Sequence, residues 1–150
     1  MVSVNDHIPG GKRADNLRAL VDVEVLVQAR EQLVAQGWLS AEEISLLGDI
    51  THEQFAKWKR ENCIFSVHKN GMGEIFPRYA LDEYLRPLPV MKSILDILTK
   101  VKTPWGIAEW FATSNDLLAG KTPQEMLSLY PANVIQAAEA ESGWIRHGAE

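Results

Sequence analysis

Few residues in this chain have the types and the spacing that catalysis or metal binding requires. The histidines are scattered at His7, His52, His68 and His147, and the single cysteine is Cys63. Cys63 and His68 together would supply two metal ligands, whereas a structural zinc site needs four. No metal and no cofactor are therefore expected.

Two other patterns that could carry chemistry are incomplete. Gly10-Gly11-Lys12-Arg13 is similar to the end of a phosphate-binding loop, but the earlier glycine and the preceding strand are missing. The sequence has no Gly-x-Ser-x-Gly motif and no recognisable set of nucleophile and base. We therefore predict a protein that is not an enzyme.

Length and composition indicate an ordinary globular chain. Its 150 residues, 46% of them hydrophobic, suffice for one core or two small ones. The sequence has no run of about 18 apolar residues, and its start lacks the basic flank and apolar stretch of a signal peptide. Together with the single cysteine, these features predict a cytoplasmic protein that is not associated with a membrane.

The net charge of −5 is unevenly distributed. Residues 1–51 carry four Lys/Arg against eight Asp/Glu, and residues 103–150 carry two against six, so each segment has a charge of −4. Residues 52–102 carry nine against six, a charge of +3. The middle of the chain is therefore the segment best suited to face phosphate, and the two ends suit a basic partner or solvent.

The amino-terminal part begins with a predicted flexible arm at residues 1–14, which contains Pro9-Gly10-Gly11. Residues 17–27 leave two structures open, because alternating valines favour a strand whereas the following sequence favours a dimer-forming helix. From Leu26 to Ala35 the composition is helical, and Gly37 is expected to end that helix.

Two capping sequences then predict a pair of short helices. Ser40-Ala41-Glu42-Glu43 opens a helix that ends near Gly48, and Thr51-His52-Glu53-Gln54 opens one that ends near Glu61. This pair matches the helix-turn-helix pattern. Its packed face is expected to consist of Ile44, Leu47, Ile50, Phe55 and Trp58.

The opposite face of the second helix, together with a following β-hairpin, predicts DNA binding. Residues 64–68 and 74–76 are strand-like and flank a glycine-rich tip, so the hairpin would form a wing beside the second helix. Polar and basic side chains of such helices read the major groove, and wing residues hold phosphates. The predicted DNA-binding residues are Gln54, Lys57, Arg60, His68 and Lys69.

The carboxy-terminal part is predicted to be helical. Pro77 and residues 84–89 are typical of a linker, and an amphipathic helix follows from Val90 to Val101. Pro104 begins another helix that extends to about Ala112, and a last helix from Pro131 ends near Gly143.

Between those helices lies the most distinctive part of the sequence, residues 110–127, here called the corner. Gly120 suits a turn with positive φ, Thr122 caps a new helix, Pro123 takes its first position and Glu125 completes a capping box. The tail after Gly143 contains Trp144 and Arg146, two residue types that are enriched at interface hot spots. Two placements of this tail remain open: it docks on a partner, or it folds back on the core.

From about Val90 to Gly143 the sequence resembles the toxin-binding domain of the Xre/MbcA/ParS-like antitoxin family. The matching residues are Trp105, Trp110, Phe111, Asn115, Leu118, Gly120, Thr122, Pro123, Leu127 and Val134. Many members have two glycines after the leucine, where this chain has Ala119 and Gly120. The amino-terminal half departs from the family, because its predicted wing is as similar to excisionase or MerR-type DNA readers as to the Xre form.

The resemblance implies an antitoxin of a bacterial type II toxin–antitoxin system. Such a protein neutralises a RES-domain toxin that consumes NAD, forms a homodimer and represses its own operon by binding operator DNA. By the same analogy, the carboxy-terminal end obstructs the toxin pocket, with Trp144 and Arg146 in or near the blocking segment. The implied toxin-binding residues are Trp110, Asn115, Leu118, Gly120, Thr122, Pro123, Trp144 and Arg146.

The sequence thus predicts a mainly α-helical protein of three parts. A flexible arm at residues 1–14 precedes a winged helix-turn-helix-like DNA-binding unit with a β-hairpin at residues 15–83, and a compact helical toxin-binding domain at residues 84–150 follows. The alternative is a stand-alone DNA-binding transcriptional regulator that uses its carboxy-terminal domain for dimerisation or for another protein partner.

Overall fold

A computed structural model describes residues 23–35 and 37–143 of the chain. Over these ranges the protein is mainly helical and has one small antiparallel sheet, as the sequence predicted. The helices are α1 (23–33), α2 (Ala41–Gly48), α3 (His52–Arg60), α4 (Val90–Leu98), α5 (Pro104–Ala112), α6 (Pro123–Met126) and α7 (Pro131–Gly143). The strands are β1 (Trp38–Ser40), β2 (Val67–Lys69) and β3 (Gly73–Pro77), and short 3-10 turns lie at Arg78–Ala80 and Asp116–Leu118.

The backbone contacts divide the chain into two units, Met1–Gln32 and Leu33–Glu150. In the first unit the described residues, 23–32, are helical. Residues 23–27 are therefore helix and not strand, whereas residues 17–22 and the predicted arm at 1–14 lie outside the described residues. Valines cost a helix less than about 1 kcal/mol each, so the helix-forming residues that follow can extend the helix through them.

The second unit begins with the three-stranded sheet, whose order is β1-β3-β2. The predicted hairpin is present as β2 and β3, although residues 64–66 precede the strand instead of forming part of it. β1 was not predicted. It has three residues, too few to display an alternating pattern, and it forms by pairing Trp38 with Pro77 and Ser40 with Ile75 on β3.

Both predicted helix starts in the helix pair are confirmed. Ser40 and Glu43 form a reciprocal capping box at α2, and the Thr51 hydroxyl accepts a hydrogen bond from the Gln54 backbone N–H at α3. The connection is tight, because a Cβ at Gly48 would lie 2.8 Å from the Ile50 Cδ1. Glycine at this position lets the chain turn so that Ile50 is buried.

A small apolar cluster holds the helix pair to the sheet. Four of the five predicted core residues belong to it, with Trp58 partly buried, but Leu47 is 73% exposed and its prediction was wrong. Leu47 is three residues after Ile44, but it lies in the last turn of α2, one residue before the helix ends at Gly48, and this spacing does not by itself bury it. The buried members are Ile44, Ile50, Phe55, Ile64, Phe76, Leu81 and Leu85.

The segment predicted as a linker is an ordered turn. One Asp82 carboxylate oxygen accepts hydrogen bonds from the backbone N–H groups of Tyr84 and Arg86 at 2.8 and 3.0 Å. The Arg86 guanidinium donates to the Gly48 carbonyl oxygen at 2.7 Å, and Leu85 is buried. The prolines in this segment therefore shape a fixed turn, because neighbouring polar groups satisfy its backbone.

The main core lies among α4, α5 and α7, and it also receives side chains from the sheet and from the segment that precedes β2. Phe65, Val67 and Ile75 are buried in the same cluster as Phe111 and Val134. The predicted helices α4, α5 and α7 are present, and α5 and α7 have the predicted bounds. The predicted boundary between residues 83 and 84 lies inside the second unit, whose core takes residues from both sides of it.

Candidate functional site

The exposed face of α3 carries three of the predicted DNA-binding residues. Gln54, Lys57 and Arg60 are exposed, and their spacing of three residues places them along one side of the helix. Within residues 23–35 and 37–143, neither Lys57 nor Arg60 forms an ion pair or a side-chain hydrogen bond. We call these three residues the α3 polar face. Glu53 and Glu61 border it, so it is only locally cationic.

Lys59 of the same helix, unlike Lys57 and Arg60, forms an ion pair with the hairpin. Its ammonium group contacts one Glu74 carboxylate oxygen on β3 at 2.9 Å, and the Ser66 hydroxyl donates to the other oxygen at 2.6 Å. Burial alone would raise the pKa of Glu74, but the hydrogen bonds from Ser66 and Lys59 outweigh it and hold that pKa below the ordinary value for glutamate. Glu74 therefore fastens α3 to the hairpin. Sequence reasoning missed this residue, because its partners lie 8 and 15 positions away.

The hairpin carries the other two predicted DNA-binding residues. His68 is exposed and lies directly across from Glu74 in the strand register, so both side chains are on one face of the sheet. Lys69 is half-buried at the end of β2, where its carbonyl oxygen accepts from the Met72 backbone N–H in the tip. The Lys59–Glu74 contact thus brings the hairpin and α3 into one structure, although their role in DNA binding stays a prediction.

The corner is closed by hydrogen bonds around Asn115. Its backbone N–H donates to the Lys121 carbonyl oxygen at 2.9 Å, and its own carbonyl oxygen accepts from Leu118 and Gly120. Its side-chain oxygen accepts from the Leu117 N–H at 2.9 Å, which caps the 3-10 turn. These bonds bring the end of α5 close to the start of α6.

The predicted capping at the start of α6 is confirmed. The Thr122 hydroxyl accepts from the Glu125 backbone N–H, while the Glu125 carboxylate accepts from the Thr122 backbone N–H at 2.9 Å. The Thr122 hydroxyl also donates to that carboxylate at 2.8 Å, and the hydrogen bonds from the Thr122 backbone N–H and hydroxyl hold the pKa of Glu125 below its ordinary value. Gly120 has φ +82°, as the sequence predicted, but Ala119 also has a left-handed φ of 57°. The two-glycine pattern of the resembling family would fit both positions without strain.

Three of the eight predicted toxin-binding residues are buried inside the corner. Trp110 and Leu118 are 6% and 3% exposed, and Pro123 is also buried, so their side chains pack within the chain instead of facing a partner. Direct toxin contact by these three side chains therefore disagrees with the structure. Asn115 and Thr122 are half-buried and Gly120 is exposed, so contact there stays a prediction. Trp144 and Arg146 lie outside the described residues.

The apolar surface near the corner comes from residues that the sequence analysis did not select. Leu117 and Leu129 are 60% and 75% exposed, and Tyr130 is 52% exposed. Their neighbours Leu118 and Leu127 are buried. In so short a turn, which of two adjacent leucines faces the core depends on the 3-10 geometry, and the sequence pattern does not disclose it.

Among residues 23–35 and 37–143, no three histidine, cysteine, aspartate or glutamate side chains lie close enough together to hold a metal ion. In the same part of the chain, no helix has both the length and the apolar content needed to cross a bilayer. Comparison of the chain with known family models, with curated proteins and with solved structures gave no match.

Proposed function

We propose that this chain is an antitoxin-type regulator that binds DNA through α3 and the β2–β3 hairpin and binds a toxin through its carboxy-terminal helical half. The observation that carries the proposal is the α3 polar face, where Lys57 and Arg60 have no partner in the described chain while the neighbouring Lys59 is paired. Cations left unpaired on an exposed helix face are available to phosphate.

The order of elements supports a winged helix-turn-helix. A strand, two short capped helices and a hairpin follow one another as β1, α2, α3, β2 and β3. In DNA readers of this kind, the second helix enters the major groove and the wing lies on the phosphate backbone. The contact between Lys59 and Glu74 would hold the wing at a fixed position relative to that helix.

The toxin-binding part of the proposal rests on the resemblance of residues 90–143 and on charge. The acidic residues Glu109, Asp116 and Glu139 are exposed, so this half would repel DNA and attract a basic protein cleft. The buried corner would serve as the scaffold that holds the contacting surface, with Trp144 and Arg146 following α7. The partner implied by the resemblance is a RES-type toxin that consumes NAD.

DNA binding is tested by fluorescence anisotropy with labelled duplexes, one of mixed sequence and one from the region upstream of the gene. Affinity should fall steeply as the salt concentration rises, because phosphate contacts release counterions. Lys57→Gln and Arg60→Gln should each weaken binding to both duplexes and reduce the slope of log affinity against log salt by roughly 0.9. Lys100→Gln, at an exposed lysine after α4, is the matched control and should bind like the unchanged protein. Salt-independent binding, or equal slopes in all variants, would contradict the DNA interface.

Toxin binding is tested by co-expression with the product of the neighbouring gene, followed by co-purification and a growth-rescue assay. A RES-type product should be toxic alone and harmless with this chain, and Arg146→Glu should restore toxicity if the tail obstructs its pocket. Lys100→Glu makes the same charge change elsewhere and should keep the rescue. A neighbour that is neither toxic nor co-purified would favour the alternative, a stand-alone transcriptional regulator.

A further inference from the structure

The tip of the β2–β3 hairpin exposes one apolar side chain to solvent. Lys69 pairs with Gly73 in the strand register, so the loop between them consists of Asn70, Gly71 and Met72. All three loop residues are exposed, and Met72 is the apolar one, with 52% of its surface accessible. A Cβ added to Gly71 or Gly73 would meet no heavy atom within 4 Å, so the space on both sides of Met72 is open.

The two glycines make this tip narrow. Gly71 and Gly73 have φ angles of +85° and +77°, which favour glycine because a residue with a Cβ is strained there. Met72 therefore contributes the one side chain of residues 71–73. The minor groove of DNA is about 6 Å wide, roughly half the width of the major groove, and it admits a narrow tip of this kind more readily than one with several large side chains.

The charges around the tip suit the minor groove. Residues 62–73 contain no Asp or Glu, and His68 is exposed next to the half-buried Lys69. Glu74 follows the tip, but its carboxylate contacts the Lys59 ammonium group at 2.9 Å, so its charge is compensated within the chain. Histidine and lysine are attracted to the narrow minor groove of A·T-rich DNA, where the negative potential is enhanced.

The base of the hairpin is fixed, so the tip has a firm support. Val67 and Ile75 pair across the hairpin, and each is 1% exposed in the main core. The Ser66 hydroxyl donates to one carboxylate oxygen of Glu74 at 2.6 Å. Met72 lies two residues before Glu74, which corresponds to about 7 Å of extended strand. A side chain this close to a fixed base can hold its position against stacked bases.

A methionine at this position can act as a wedge between bases. Its side chain is flexible and apolar, so it is hydrated in the free protein and gains free energy from burial between two base pairs. Apolar wedges in the minor groove partly unstack one base step and kink the duplex by roughly 20–90°. Pyrimidine–purine steps such as TA are the most easily unstacked, so a wedge prefers them.

We propose that Met72 inserts from the minor groove into a TA step of A·T-rich DNA and kinks the duplex beside the site of α3. This inference rests on the proposed function, because it requires DNA binding by α3 and the hairpin. The strands of the wing cross the phosphate backbone, and the tip extends beyond it into the adjacent minor groove. The wing would then select sequence at a base step that α3 does not contact.

The first test measures bending by resonance energy transfer between dyes at the two ends of a duplex with a central TA step. At a saturating concentration of the full chain, the unchanged protein and Met72→Leu should bend the duplex by at least about 20°, whereas Met72→Ala should lose at least about half of that bend. Leu47→Ala is the matched control, because Leu47 is 73% exposed outside the hairpin, and it should bend DNA like the unchanged protein. A straight duplex in the saturated complex, or equal bending with Met72→Ala, would overturn the proposal.

Base unstacking is tested with 2-aminopurine in place of the adenine of the TA step. Stacking quenches this fluorophore, so its emission should rise when the unchanged protein or Met72→Leu binds and should stay low with Met72→Ala. An equal rise with Met72→Ala would mean that another group opens the step and would overturn the role of Met72.

A comparison of two duplexes tests the selection of the base step. Replacing TA by AA should weaken binding of the unchanged protein at least about threefold, because the AA step is stiffer, and should change binding of Met72→Ala by less than about 1.5-fold. The same preference in both proteins would show that the step is selected without Met72 and would contradict the proposal.

The same titrations separate this inference from the proposed function. Salt-dependent binding that leaves the duplex straight and does not distinguish TA from AA would overturn the wedge alone and leave the DNA interface in place. Binding that is absent or independent of salt would contradict the DNA interface itself, and the wedge with it.

Discussion

The polar groups of the corner at residues 110–127 are hydrogen-bonded within the chain, whereas the cations of the α3 polar face have no partners in the described chain. In the corner, the side chains of Asn115, Thr122 and Glu125 form hydrogen bonds with nearby backbone groups. The side chains of Trp110 and Leu118 are buried there. On α3, Lys57 and Arg60 extend into solvent without partners in the described chain. Polar groups that are hydrogen-bonded to one another stabilise the fold, whereas polar groups without a partner on an exposed surface are available to bind a ligand. The corner is therefore the better marker of architecture, and the α3 polar face is the better candidate for binding.

The largest expected effect tests whether the corner is a scaffold. Leu118→Ala should lower the free energy of unfolding by about 2–4 kcal/mol, because Leu118 is 3% exposed and its truncation leaves a cavity. Leu117→Ala is the matched control, since Leu117 is 60% exposed, and its cost should stay below about 1 kcal/mol. Urea denaturation measures both, and equal losses would mean that the two leucines are not divided between core and surface.

The next effect tests backbone strain in the same turn. Ala119→Gly should raise the free energy of unfolding by about 0.5–1 kcal/mol, because Ala119 has a left-handed φ that glycine adopts without strain. Gly120→Ala should lower it by about 1 kcal/mol, since φ at Gly120 is +82°. Opposite shifts of the thermal midpoint would sharpen the assignment of strain to the turn, and shifts of the same sign would contradict it.

A smaller effect separates the paired lysine of α3 from the unpaired one. Lys59→Gln should lower the free energy of unfolding by up to about 1 kcal/mol, because it breaks the contact with Glu74 across the partly exposed surface. Lys57→Gln should change it by less than about 0.5 kcal/mol. Denaturation and DNA titration on the same two variants should therefore rank them differently, with Lys57→Gln the more harmful to DNA binding. If the same variant is the more harmful in both measurements, the structural distinction between the two lysines is wrong.

The smallest effect is the pH dependence of the two regions. The pKa values of Glu74 and Glu125 lie below the ordinary value for glutamate in the folded chain, so folding favours their charged forms. The stability that they contribute is fully present above about pH 4.3, the unfolded value, and is lost as the pH falls through the lowered folded pKa. Glu125→Gln keeps a capping-box side chain but cannot ionise, so its thermal midpoint should fall less between pH 5 and 3, conditions chosen around that unfolded value. Glu74→Gln should show the same change, and a slope equal to that of the unchanged protein would contradict it for that residue.

A structural feature can be predicted from the sequence when the residues that form it lie close together along the chain. The caps at Ser40, Thr51 and Thr122, and the start of α5 at Pro104, were predicted because a cap joins residues three positions apart. The exposure of Gln54, Lys57 and Arg60 also followed from helical spacing. Leu47 was misjudged because helical spacing groups it with Ile44 but does not say how far along α2 the buried contact extends.

Other features depend on long-range pairing. β1 exists because Trp38–Ser40 meets β3, and the turn at residues 84–89 is held to the helix pair because Arg86 donates to the Gly48 carbonyl oxygen. The same applies to Glu74 in the candidate site, whose carboxylate is held by Ser66 and Lys59 from different elements. Contacts across such separations leave no periodic pattern in the sequence.

By itself the sequence determined the mainly helical class, the helix starts, the hairpin and the shape of the corner, because capping and turn formation are settled by residues within a few positions of one another. The tertiary structure alone decided which apolar side chains are buried and which cation of α3 is neutralised. It also decided that one cluster of buried residues spans both sides of the predicted domain boundary. These outcomes depend on the packing of distant elements, since burial and ion pairing are properties of neighbours in space and not of neighbours along the chain.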